Sequence, residues 1–252
     1  MLCYYLMHRI IIARHGESIW NQDSKFTGWT NIPLTDKGRL EAKKMAMVMK
    51  PYRPSIIFTS VLQRSIETST IIQKELRMEL KKELRMELKK ELKNEIKLID
   101  IPIHTSWRLN EKHYGTLEGV PRKYIRDVYG ELFTQMMRSN FTMKPPVLKN
   151  IENISSYPVY RNCYLESIKH GESKENVLSR LLPYYENDIL YTLSEGHTPL
   201  ILTHKHTARV LMKHLLQMSD EVFENYELPN KILVINLKDL KYHSREELDY
   251  KK

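Results

Sequence analysis

What most limits the possible folds of this chain is a set of short, largely apolar runs that stop at polar turns. Ile10-Ile-Ile-Ala13 breaks at Arg14-His15-Gly16, and Pro199-Leu-Ile-Leu-Thr203 breaks at His204. The first reads as a buried strand whose end exposes a turn. Ile56-Ile-Phe58, Ile99-Asp-Ile-Pro-Ile103 and Ile232 to Leu237 read as further strands. Helical stretches lie between them. Thr35 is placed as an N-cap for a helix carrying Leu40, Met45, Met47 and Val48, which Pro51 and Pro54 end. Thr59-Ser60 opens a second helix through Arg64, Ile66 and Ile71. Pro121 to Val128 and Glu131 to Arg138 read as short helices, and Ser173 caps a longer one through Val177, Leu181, Tyr185 and Ile189. Ala208 to Gln217 is a last helix, and Lys144 to Cys163 is irregular. Strands alternating with helices predict an α/β fold, a three-layer sandwich with a mainly parallel central sheet flanked by helices. Residues 1–252 are expected to form a single domain.

One stretch stands apart. Glu75-Leu-Arg-Met-Glu-Leu-Lys-Lys82 recurs unchanged as Glu83 to Lys90, and Glu91 begins a third, degraded copy. Leucines at every fourth position wind around a helix rather than forming one seam, because each step drifts by about 40°. The segment at about 74–97 therefore reads as a charged, solvated helical insert without a catalytic role.

The formal charge of +9 favours anionic partners. The basic residues are not clustered with interleaved aromatics, so nucleic acid is not expected as a partner. Cys3 and Cys163 supply neither a disulfide framework nor metal spacing. No apolar stretch approaches membrane-spanning length, and Met1 to Met7 lacks a signal peptide's basic leader. A cytoplasmic protein without a membrane partner is expected.

Ligand sites of open α/β sheets gather at the carboxyl ends of the strands. Two predicted strands end at His15 and His204, Ser60 to Arg64 follows a third, and Glu111 lies just beyond a fourth. An imidazole can accept a phosphoryl group and release it again. Arginine offers a planar fork matched to phosphate oxygens. Arg14, Arg64 and a second imidazole would hold the equatorial oxygens, His15 would attack in line, and Glu111 would exchange the proton with a hydroxyl. With arginines and imidazolium compensating the charge, no metal is required.

Arg14-His15-Gly16-Glu17-Ser18, Trp20-Asn21, Phe26-Thr27-Gly28-Trp29, Leu34-Thr35, Thr59-Ser60-Val61, Arg64 and Trp107-Arg-Leu-Asn-Glu-Lys-His-Tyr-Gly115 closely resemble the cofactor-dependent phosphoglycerate mutases of the histidine phosphatase superfamily. Weaker similarity continues through Glu172-Ser173, Pro183, His204 and Lys213-His214-Leu215 to about Asp239. The resemblance implies a phosphoglycerate mutase-like fold with His15 as the phosphorylated nucleophile. Arg14, Arg64 and His204 would line the phosphate pocket, and Glu111 would donate and accept the proton. Ser18, Asn21, Thr27, Gly28 and Tyr114 would contact phosphoglycerate. It further implies priming by 2,3-bisphosphoglycerate, interconversion of 2- and 3-phosphoglycerate in glycolysis, and a homo-oligomer, dimer or tetramer.

Four departures from that family bear on activity. The run after the second histidine is His204-Lys205-His206, where the family has Gly-Asn. Lysine brings a Cβ and a long cation where glycine leaves the amide open. His206 reads as a half-exposed turn histidine, and a metal pair with His204, joined by His197, is the sharper alternative. The family's substrate lysine falls at Arg122, beside Lys123, and its paired arginines at Arg138 and Ser139. The chain ends soon after the last predicted strand, which would alter closure over the site. Besides a mutase, a phosphatase of the same superfamily and a catalytically weakened binding protein are therefore the competing functions.

Overall fold

The computed structural model describes residues 7–87, 100–146 and 171–251, with the helical backbone alone for 83–87. Its strands are β1 (Met7–Arg14), β2 (Ile56–Thr59), β3 (Ile103–Thr105), β4 (Pro199–Thr203), β5 (Ile232–Lys238) and β6 (Lys241–Leu248). They form one sheet in the order β3-β2-β4-β1-β5-β6. The four strands from β3 to β1 run parallel, while β5 and β6 are antiparallel.

The apolar run of β1 shows why the sheet is covered on both faces. Ile10 and Ile12 project into one core with Phe58, Val177, Leu181, Val210 and Leu211. Ile11 and Ala13 project into the other, with Ala42, Met45, Met49, Ile57 and Leu200. All four β1 residues are at most 2% exposed. Burying each isoleucine stabilises the fold by roughly 1.5–3 kcal/mol. Helices α2 (Asp36–Met49) and α3 (Gln63–Glu87) cover the second face; α6 (Lys174–Tyr184), α7 (Leu190–Ser194), α8 (Lys205–Leu215) and α9 (Asp220–Asn225) cover the first. This is the expected three-layer sandwich. The short α1 (Ile19–Gln22), α4 (Arg122–Tyr129) and α5 (Glu131–Ser139) lie around the end of the sheet that carries the site. Both predicted caps form, with Thr35 Oγ accepting from the Gly38 amide and Ser173 Oγ from that of Asn176.

Several expectations are corrected. On α2 the buried face is Ala42, Met45, Ala46 and Met49, and it leaves Leu40 and Met47 exposed. The third strand begins at Ile103, later than the apolar signal starting at Ile99. Helix α6 widens after Pro183 into a π turn, Tyr185–Ile189, because proline lacks the N–H of the helical ladder. The expected insert is not solvated from its start: Leu76 is buried in the core, Leu80 packs against it, and Glu79 pairs with Lys50 at 3.0 Å. The first octapeptide is thus an integral part of α3. Residues 88–99, the stretch 147–163 and both cysteines lie outside the described residues.

The sequence reading also missed a strand. β6 follows β5 through a two-residue turn, Asp239-Leu240, with both φ values positive (50° and 61°) as a type I′ hairpin requires. The hairpin brings the chain back, so that Tyr250 is buried against the α2 face and Lys251 reaches the candidate site.

Candidate active site

The turn after β1 is held from three sides. The His15 amide donates to Thr203 O of β4 at 3.1 Å, tying together the ends of the two central strands. The Gly16 amide donates to Thr68 Oγ at 3.2 Å, and that hydroxyl donates to Arg64 O at 2.7 Å. Gly16 also lies directly on Gly38 of α2, where a Cβ would stand 2.3 Å from the Gly38 carbonyl oxygen. Only glycine fits a backbone contact this close.

These contacts define the chemistry of His15. Its Nδ1 lies 2.7 Å from Gly16 O, and a carbonyl only accepts, so Nδ1 carries the proton. The Nε of Arg64 only donates, and it points at His15 Nε2 from 3.3 Å. Both bonds require the same neutral tautomer, in which Nε2 is unprotonated and its lone pair points toward Arg64. Burial, reinforced by the charges of Arg14 and Arg64, holds the His15 pKa well below the usual histidine range. Arg64 is itself buried and donates to Gly28 O (2.7 Å) and Thr30 O (2.9 Å), which fixes the substrate-side loop.

His204 lies behind His15, its ring tilted by 59° with the centroids 4.8 Å apart. Its Nε2 lies 2.8 Å from Ser60 Oγ at the end of β2, and burial keeps it neutral as well. Arg14 donates to Asn21 Oδ1 at 3.1 Å.

Glu111 receives two backbone donors at its carboxylate, from Lys112 at 2.8 Å and from His206 in the first turn of α8 at 3.2 Å. Its loop is clamped by Arg180. That guanidinium donates to Arg108 O (2.6 Å), Asn110 O (2.9 Å) and Glu111 O (3.0 Å), and it pairs with Glu172 at 2.7 Å. Thr203 and Thr207 add side-chain bonds to Leu109 O and Asn110 O. None of these four residues was singled out from the sequence. Arg180 did carry a signal: it falls on the same helical stripe as Val177 and Leu181, where only a partnered charge is tolerated.

Before these groups opens a cavity of about 280 Å³. Arg14, His15, Asn21, Thr27, Gly28, Arg64, Glu111, Tyr114, Arg122 and Arg138 line it, joined by Lys37, Lys205 and Lys251. Cations outnumber the carboxylates Glu17, Glu41 and Glu111, and Lys37 engages Glu17 at 2.9 Å. Two expected site residues stay out of the lining. Ser18 is fully buried as the N-cap of α1, donating its amide to Asn21, and His204 lies behind His15. Arg122 faces the cavity, whereas its neighbour Lys123 is exposed and paired with Asp127. Desolvation pushes the Tyr114 hydroxyl up, so it remains a neutral donor.

The unusual Lys205-His206 step is resolved by its place in α8. Lys205 is the first helical residue without a left-handed φ, so a side chain is accommodated without strain, and its half-buried amine lines the cavity. His206 is buried rather than half-exposed. The alternative of a metal pair with His197 fails on topology. His197 bonds Ser55 at the opposite end of β4 from His204.

Two buried lysines flank this corner. Lys112 Nζ donates to Met137 O and Lys174 Nζ to Asn140 O, at 3.3 and 2.8 Å. Burial lowers their pKa values to about 8 and about 6. The unfolded chain keeps these protons to higher pH than the folded one, so raising the pH from 6 to 9 favours folding. The midpoint of thermal unfolding is expected to rise over that range. Declining net charge acts in the same direction, so Lys174→Met is the control: a calorimetric series must show a flatter slope for it, and an unchanged slope rejects Lys174 as the source.

The sequence pattern of the histidine phosphatase superfamily (branch 1) matches residues 10–91 and 90–242. A Nocardioides protein named 2,3-bisphosphoglycerate-dependent phosphoglycerate mutase is 34% identical over 238 residues, covering 93% of this chain and 88% of the relative. A protein of the same name from Buchnera aphidicola subsp. Cinara cedri is 38% identical over 218 residues, covering 84% and 85%. Among solved structures, a mycobacterial hydrolase superposes with a TM-score of 0.68 at 18% identity, covering 94% of this chain and 96% of its own. A mycobacterial glucosyl-3-phosphoglycerate phosphatase does so with a TM-score of 0.65 at 19% identity, covering 96% and 98%.

Proposed function

Because this chain belongs to the histidine phosphatase superfamily, an enzymatic family, we propose that it is a 2,3-bisphosphoglycerate-dependent phosphoglycerate mutase, interconverting 3- and 2-phosphoglycerate through phosphorylated His15. The observation that carries this reading is the neutral His15, its Nε2 lone pair turned to Arg64 in a cation-lined cavity that also holds Glu111. His15 Nε2 takes the phosphoryl group in line, and Arg14 and Arg64 hold the oxygens that carry the developing charge, while His204, outside the cavity lining, offers its Nδ1 from behind His15. Glu111 gives a proton to the departing oxygen and takes it from the attacking hydroxyl. Asn21, Thr27, Gly28, Tyr114, Arg122 and Arg138 orient the three-carbon acid.

The donor set suits a small polyanion. Arg14 Nε, Arg122 Nε, Thr27 Oγ and His204 Nδ1 are buried without a partner among the described residues, and buried donors in that state fit an incoming acceptor. Arg14, Arg64, Arg122 and Arg138 would hold 2,3-bisphosphoglycerate, which when bound supplies the phosphoryl group that loads His15. The same reading includes a cytoplasmic homo-oligomer. Among the described residues no helix is long and apolar enough to cross a membrane.

Glu111→Gln preserves an oxygen for both backbone donors, so the fold is expected to be unchanged. The turnover should fall by about 10²–10⁴-fold, the usual contribution of a positioned acid–base group. A coupled isomerisation assay checks this, and a rate within threefold of the parent removes Glu111 from the mechanism.

A second reading, hydrolysis of the phosphohistidine, is favoured by Ser139. It lies beside Arg138 on the wall of an adjoining chamber, where a longer side chain would contribute to enclosing the site. Phosphate release that is fast and indifferent to 2,3-bisphosphoglycerate would replace the mutase by this phosphatase. Absence of any phosphohistidine after incubation with 2,3-bisphosphoglycerate would instead leave a binding protein.

A further inference from the structure

The phosphoryl cavity does not end at Arg138, Lys205 and His206. Those three residues also line a second chamber of about 250 Å³, so they form a shared doorway between two spaces of similar size. The chemistry changes across it. On the His15 side cations dominate, as a phosphate and a carboxylate require. On the far side stand the carboxylates Glu131, Glu224 and Glu227. The one deep cation there, Arg209, is spent on backbone carbonyls, donating to Tyr226 O (2.7 Å), Arg138 O (3.1 Å) and Glu224 O (3.1 Å). A second anionic group would meet these three carboxylates, while the cations Arg138 and Lys205 stand in the doorway shared with the His15 side. An alkyl chain would offer no hydrogen bond to this polar wall, where Glu224 accepts from Asn140 Nδ2 and Glu131 pairs with Arg126. Neutral hydroxyls, which both donate and accept, satisfy such a wall.

We propose that the doorway of Arg138, Lys205 and His206 opens the phosphoryl site into a chamber for the polyhydroxylated part of phosphomonoesters longer than a three-carbon acid. This rests on the reading of His15 as the phosphoryl acceptor. The reaction is hydrolysis of the ester. His15 Nε2 attacks phosphorus, the P–O bond to the polyol breaks, and the polyol oxygen leaves with a proton from the Glu111 carboxyl. Water then attacks the phosphohistidine, giving its proton to Glu111, and the P–N bond breaks to release inorganic phosphate and free His15.

The test measures phosphate release from glycerol 3-phosphate, erythritol 4-phosphate and sorbitol 6-phosphate, with hexyl phosphate as an apolar ester of equal length. The value of kcat/KM is expected to rise at least about tenfold from the three-carbon to the six-carbon polyol, which corresponds to roughly 1.4 kcal/mol. Hexyl phosphate is expected to gain nothing. Gln135→Trp on α5 and Asn225→Trp on α9 fill the chamber from its two flanking helices at exposed positions. Each should return sorbitol 6-phosphate to the level of glycerol 3-phosphate while leaving the shorter ester within twofold. A flat polyol series, an equal gain for hexyl phosphate, or a gain untouched by both tryptophans overturns the chamber. Phosphohistidine trapping on His15 separates the two premises: label with a flat series removes the chamber alone, and no label from any ester removes the nucleophile with it.

Discussion

His15→Ala is expected to abolish phosphohistidine formation and to lower turnover by about 10⁴–10⁶-fold, the range seen when a covalent nucleophile is deleted. The size follows from the geometry. Of the two imidazoles, only His15 presents an Nε2 to an arginine and has its Nδ1 proton fixed by a carbonyl; the Nε2 of His204 is already engaged by Ser60. His204 therefore does not substitute. Arg64 keeps its bonds to Gly28 O and Thr30 O in the variant, so the loop before the cavity stays in place and the loss is chemical rather than structural. Acid-labile phosphate on intact protein, followed by mass spectrometry, reads the first effect, and the isomerisation assay the second. Label persisting in the variant would move the nucleophile elsewhere.

Arg180→Met is expected to be the most destabilising single change in the scaffold of the site. Both Arg180 and its partner Glu172 are at most 9% exposed, so the variant leaves a buried carboxylate without its counter-charge. Breaking such a pair from one side costs about 3–5 kcal/mol. For a chain of this size that is a fall in Tm of roughly 6–20 °C. The loop carrying Glu111 also loses bonds to three carbonyls, so kcat should fall more than KM rises. Adding Glu172→Gln removes the stranded charge and should recover much of the stability but not the rate. Calorimetry and steady-state kinetics on the single and double variants decide this. A Tm within 2 °C of the parent for Arg180→Met would show that the pair does not hold the loop.

What could be read from the sequence, and what could not, follows from how locally each feature is encoded. The central strands were legible because burial on both faces leaves continuous apolar runs, and the site followed from the carboxyl-end rule for such sheets. The edge strand β6 was not, because one polar face and charges at Arg245, Glu246 and Glu247 erase the apolar signal of its ladder. Leu76 and Leu80 begin a four-residue leucine spacing that continues beyond them, so the spacing alone does not show that these two pack into the core beside α2. Ser18 and His206 were misplaced for the same reason. Their depth is set by elements distant in sequence, the loop of Leu34 for one and that of Glu111 for the other. Arg180 is marked locally as a charge on an apolar stripe, but the carbonyls it clamps lie 69 to 73 positions away and cannot be read from that stripe.

Helix α3 carries Arg64 in its first turn and the octapeptide repeat from its fourth turn onward. From Arg64 to Glu87 the helix advances by about 35 Å at 1.5 Å per residue. Arg64 is therefore anchored at one end of a rod whose other end enters the second octapeptide copy. A change in the number of eight-residue units would fall beyond the first turn of α3, where the contact of Arg64 with His15 is set. A duplicated tract and a site that depends on contacts of about 3 Å thus share one helix at a distance from each other.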